Sequence, residues 1–143
     1  MCDYVIAQKR FKVFQAKKSG ETDNFLKKMK GLYIKDRKEI VRISSNISLS
    51  KDISLETFKD DLKLNIVQDA DRINSLGAIG IMRYISYNIK NAKEPSFKTT
   101  IENMRIRTNK IMRFIRTKSG KIIAKKHVKI INDFINIILD SFE

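Results

Sequence analysis

Apolar residues along the chain recur at intervals of three and four rather than in alternation, and one proline, Pro95, and five glycines interrupt them. That spacing predicts an all-α bundle of about five to six helices without strands. A short helix follows Thr22 and Asp23, carries Phe25, Leu26 and Met29 on one side, and stops at Gly31. A second, from about Asp36 to Asn46, turns Ile40, Val41, Ile43 and Ile47 inward, and the Ser- and Asn-rich stretch 44–54 reads as a connection. From Asp60 a third helix has Leu62, Ile66, Ile73 and Leu76 on one side and Leu64 and Val67 on the other, which predicts a central helix enclosed on both faces. Gly77 and Gly80 permit close helix approach and lead into a fourth helix reaching about Ile89, which residues 91–96 break at Pro95. A fifth runs from about Thr99 to Arg116 over Ile101, Met104, Met112 and Ile115, and Thr117 to Gly120 ends it. The last, Lys121 to Ser141, places Ile123, His127, Ile130, Ile131, Phe134 and Ile138 along one stripe. The opening segment, Tyr4 to Lys18, is basic with scattered aromatics and fits either a loop or a short helix.

Composition narrows this reading. A length of 143 residues predicts one domain, and 42% hydrophobic residues suffice for a modest core. No apolar run approaches the roughly 20 residues that cross a bilayer, and Met1-Cys2-Asp3-Tyr4 lacks the blocks of a secretory signal, so a soluble, cytoplasmic protein is expected. The single cysteine, Cys2, excludes an internal disulfide, and the single histidine, His127, nearly excludes a histidine-based metal site. The net charge is +14, but Ile, Lys and Asn are abundant enough to reflect A/T-rich coding, so charge alone proves little. The first 50 residues and the last 43 are strongly basic, while the middle third is nearly neutral because acids concentrate there. That concentration is the place to look for chemistry.

Within it, Asp69 and Asp71 lie inside an otherwise apolar helical stretch, where carboxylates are costly to bury unless they meet a cation, a base or a full set of donors. Residues two apart lie about 200° around a helix axis, so at most one of the pair can grip a given ion from that helix. The alternative is a pair of helix-terminal or surface acids facing Arg72 or a neighbouring lysine.

The stretch Ile66-Val67-Gln68-Asp69-Ala70-Asp71-Arg72-Ile73-Asn74-Ser75-Leu76-Gly77-Ala78-Ile79-Gly80-Ile81-Met82-Arg83 resembles the distal motif of a compact branch of the HD superfamily of metal-dependent phosphohydrolases. Ile43 to Lys51 and Thr117 to His127 resemble flanking segments of the same branch, so the likeness covers roughly residues 33 to 143 in the right order. It implies a single partial HD-like helical bundle, N-terminally incomplete, and an activity of divalent-metal hydrolysis of phosphate esters or anhydrides, often in nucleotides. By that resemblance Asp71 matches the final aspartate of a His, His-Asp, Asp metal set holding manganese or magnesium, and Arg72, Arg83 and Lys118 are candidate phosphate contacts. The alternative for each of these three is a solvated basic residue, which is the commoner case. Asn74 departs from the acid usual at its position.

The larger departure is the absence of any histidine before Asp71. Borderline divalent metals favour mixed imidazole and carboxylate ligands, and His127 matches a downstream helix position rather than a ligand, on an apolar stripe that suits packing or hydrogen bonding. Met1 to Tyr4 resembles the residues directly after the family's His-Asp pair, so the chain is expected to begin just past the missing ligands, through truncation or a misassigned start. One aspartate then offers a weak, mostly water-coordinated contact, and no hydrolysis is expected of the chain as it stands. Ser119-Gly120-Lys121 has no Walker pattern around it. Two other functions compete. One is a non-catalytic basic module meeting nucleic-acid phosphates, although aromatics are only 8% and tryptophan is absent, which gives stacking little support. The other is a remnant whose exposed apolar faces seek a second copy or a full-length relative.

Overall fold

The computed structural model describes residues 19–49, 60–91 and 96–141, and the described residues form six α-helices. The expected all-α class is the observed one. The chain divides by contact into two compact units, residues 1–51 and 52–143.

In the first unit, α1 (Ser19–Lys27) packs on α2 (Ile34–Ser45) across a turn in which Gly31 adopts a φ of 83°. Asp23 ties the two helices together. It forms ion pairs with Lys27 at 2.9 Å and with the Nε of Arg37 at 3.0 Å, and these cations hold its carboxyl below the usual range. Of the predicted apolar side chains of α1 only Leu26 is buried, while Phe25 and Met29 are exposed. No residue of α2 is fully buried, and Ile40 is exposed. The expected inward row is therefore exposed at Ile40 and half-buried at Val41, Ile43 and Ile47.

The second unit consists of α3 (Leu62–Ile73), α4 (Gly77–Asn91), α5 (Phe97–Arg113) and α6 (Lys118–Asp140). The side chain of Asp61 caps α3 by accepting from the Leu64 N–H at 3.1 Å. The longest helix, α6, contacts α3, α4 and α5, and its Ala124, Ile131 and Ile135 meet a core that includes Leu64, Leu76, Ile81, Ile101, Met104, Ile111 and Ile115. Two helices differ from the pattern reading. Helix α3 is not enclosed on both faces: Leu62 is 65% exposed and Ile66 is 53% exposed, while the inward face carries Leu64, Asn65, Gln68, Asp69 and Arg72. Helix α6 begins three residues earlier than its apolar stripe suggests, because Thr117 starts it rather than ending its predecessor. It is also rotated. Gly120 and Ala124 point inward where small side chains let helices approach, and Ile123 and Ile130 are exposed.

Candidate functional site

The buried polar face of α3 meets the four-residue turn between α5 and α6. One oxygen of Asp69, Oδ1, accepts from the backbone N–H of Arg116 at 2.9 Å; the other, Oδ2, accepts from the Thr117 N–H and the Thr117 hydroxyl, both at 2.7 Å. The same hydroxyl accepts from the Gly120 N–H at 3.0 Å, which makes Thr117 the N-cap of α6. A carboxylate therefore sits at the amino end of a 23-residue helix, where the unpaired N–H groups favour negative charge. Gly120 is required for this approach: a Cβ there would lie 2.5 Å from Asp69 Oδ2 and 2.7 Å from the Thr117 hydroxyl.

Two arginines complete the cluster. Arg116 donates through Nη1 to Gln68 Oε1 at 2.7 Å and to Asn65 Oδ1 at 3.1 Å, so the two amides inside α3 find a cationic partner. Arg72 is 2% exposed, donates through Nη1 to the Phe114 carbonyl at 2.6 Å, and lies 3.9 Å from Asp69 Oδ1 with its guanidinium over the Phe114 ring. Arg72, a candidate phosphate contact by the resemblance, is thus placed inside this cluster. Its guanidinium fixes the end of α5 to α3.

The period of the helix separates the two aspartates as expected. Asp69 faces inward and is fully engaged by protein donors, while Asp71 is half-buried on another side of α3. Burial raises the Asp71 carboxyl above its ordinary range, and the nearby charges of Arg83 and Arg72 offset only part of that shift. The other predicted residues lie outside the Asp69 cluster. Arg83 donates weakly to the Asn74 carbonyl at 3.4 Å, Asn74 caps the carboxyl end of α3, and Lys118 is exposed in the first turn of α6. His127 is half-buried and packs against Gly77, the first residue of α4 after the turn from α3.

A divalent ion of the kind the resemblance implies needs several oxygen or imidazole donors converging on one point. Among the described residues no three His, Cys, Asp or Glu side chains converge in this way, so Asp71 supplies one carboxylate and the described donor set does not hold such an ion. Sequence reasoning overlooked Arg116, Thr117 and Gly120. Thr-x-x-Gly before a long helix is a recognisable N-cap, but nothing within that window names a carboxylate 48 residues upstream as its partner.

The raised carboxyl of Asp71 makes a stability prediction. A group whose folded pKa exceeds its unfolded value favours the fold while protonated, and that contribution is lost as pH rises through the folded pKa. Asp71→Asn is therefore expected to raise the melting temperature at neutral pH and to have little effect below the unfolded carboxyl range. Thermal denaturation of both proteins followed by circular dichroism at pH 7 and pH 3 checks this, and an equal effect at both pH values overturns it.

No helix among the described residues is long and apolar enough to cross a membrane. In comparison with known proteins, the chain matches no family model, no curated protein and no solved structure.

Proposed function

We propose that the chain is the carboxyl-terminal part of an HD-type metal-dependent phosphohydrolase acting on nucleotides or phosphate esters, with Asp71 as its metal-facing carboxylate. The observation that carries this reading is the contrast within α3. Asp69 is wholly used in holding the fold, whereas Asp71 is kept half out of water at an energetic cost that its arginine neighbours only partly offset. Functional carboxylates are tolerated under such conditions, and structural ones are normally paired. The fold adds support, since Asp69 joins to Arg116 and Thr117 and so connects two of the separate segments on which the resemblance rests.

The imidazole ligands that such a centre needs are not among the described residues, so the chain alone is expected to show no turnover of a nucleotide panel with manganese. The test supplies them. An extended chain in which a histidine and an adjacent His-Asp pair precede Met1 is expected to hydrolyse at least one panel member. Asp71→Ala should then lower the rate by more than about 100-fold, beyond what loss of an outer-sphere contact to a metal ligand costs. Unchanged hydrolysis in that variant, or no hydrolysis by the extended chain with manganese or magnesium, removes the assignment.

A further inference from the structure

Lys118, Lys121, Lys125 and Lys129 follow one another at intervals of three, four and four along α6, and all four are exposed. At about 100° per residue they fall within an arc of about 80°, and at about 1.5 Å per residue they span about 17 Å of the helix. Exposed Asn132 and Asn136 continue the same line toward the carboxyl end. The helix carries no acid from Lys118 to Asn132, its acids being Asp133 and Asp140. An ion pair on the stripe, Lys129 to Asp133 at 3.1 Å, is between exposed side chains and is worth little, so a competing anion can replace it.

From this geometry we infer that the lysine stripe of α6 binds the phosphate backbone of a nucleic acid. A linear row of cations followed by amide donors suits a linear row of phosphates and sugars, and over about 17 Å a duplex offers about ten backbone charges. A bilayer surface fits less well. Helices that lie on membranes keep their lysines beside an apolar face that inserts. Here the two exposed apolar side chains near the stripe, Ile122 and Leu139, stand about 25 Å apart along the helix, and the row formed by Ile123, Ile130 and Ile137 lies about 140° around the axis from the centre of the lysine stripe. One flat surface cannot engage both. The inference is independent of the phosphohydrolase reading, since the substitutions that test it leave Asp71 and Lys118 unchanged.

The test is binding of a labelled duplex DNA of roughly 20 base pairs and of a single-stranded RNA of similar length, across 50 to 200 mM salt. Four neutralised phosphates predict a slope of log affinity against log salt of about −3.6 on the duplex, or about a 150-fold loss over that range. Replacing Lys121, Lys125 and Lys129 together by Gln is expected to reduce the slope by about 2.7. The matching triple Arg variant keeps the charges and should bind as the original does. A control that removes three exposed lysines elsewhere, Lys90, Lys110 and Lys126, should leave the slope nearly unchanged. Equal loss in stripe and control variants would assign the binding to net charge and overturn the inference. So would binding to phosphatidylserine vesicles without binding to either nucleic acid, or no binding to either at 50 mM salt. Circular dichroism confirms that each variant is folded.

Discussion

Asp69→Ala is expected to destabilise the protein by about 3–5 kcal/mol, a large share of the 5–15 kcal/mol that holds an ordinary domain together. Truncation leaves the Arg116 and Thr117 N–H groups and the Thr117 hydroxyl without the acceptor they share, in a place that water reaches poorly. Each buried group deprived of its partner costs about 1–3 kcal/mol. The guanidinium of Arg72 also loses a carboxylate 3.9 Å away, and α6 loses the anion at its amino end. Thr117→Val removes one of these contacts and the cap to Gly120, so a loss nearer 1–2 kcal/mol is expected. Because both changes break the same hydrogen bond, the double variant should lose less than the sum. Urea denaturation of the three variants measures these values. A cost for Asp69→Ala below about 1 kcal/mol would mean that the turn between α5 and α6 holds without the carboxylate.

The contrast between Asp69 and Asp71 is partly legible in the sequence. The helical period alone separates them, and the cost of burying charge alone demands compensation. What the period does not supply is which of the two faces inward. A hydrophobic pattern assigns the buried face of a helix to its apolar residues, and for α3 this selects Leu62, Ile66, Ile73 and Leu76 on one side and Leu64 and Val67 on the other, of which Leu64 and Leu76 are fully buried. The fold also buries Asn65, Gln68, Asp69 and Arg72, because these polar groups satisfy one another and the turn at Arg116 and Thr117. Their partners lie 42 to 51 residues away, outside any window that periodicity samples. The same limit explains α6. Its richest apolar stripe includes Ile123 and Ile130, yet Gly120 and Ala124 decide its rotation, since only small side chains allow its amino end to close on the Asp69 carboxylate. Helix number and class depend on local spacing and are readable from it. Helix orientation depends on long-range polar contacts and is not.

Gly77→Ala is expected to cost about 2–4 kcal/mol, for two separable reasons. Gly77 holds a φ of 68°, in the left-handed region where an L side chain costs about 1–2 kcal/mol. An added Cβ would also overlap Nδ1 of His127, whose ring rests on this glycine. The first cost belongs to the backbone and is independent of the neighbour. The second vanishes if the ring is removed. In a His127→Ala background, Gly77→Ala should therefore cost only the backbone part, which leaves a coupling of about 1–2 kcal/mol in the double-mutant cycle. Urea denaturation of the four proteins measures it, and an equal cost in both backgrounds would show that the ring does not seat on this glycine. A coupling of the expected size would account for the chain's single histidine by contact with the first residue of α4. It would also tie the segment around Asp71 to the middle of α6, so that the orientation of that carboxylate depends on a contact made 56 residues further along the chain.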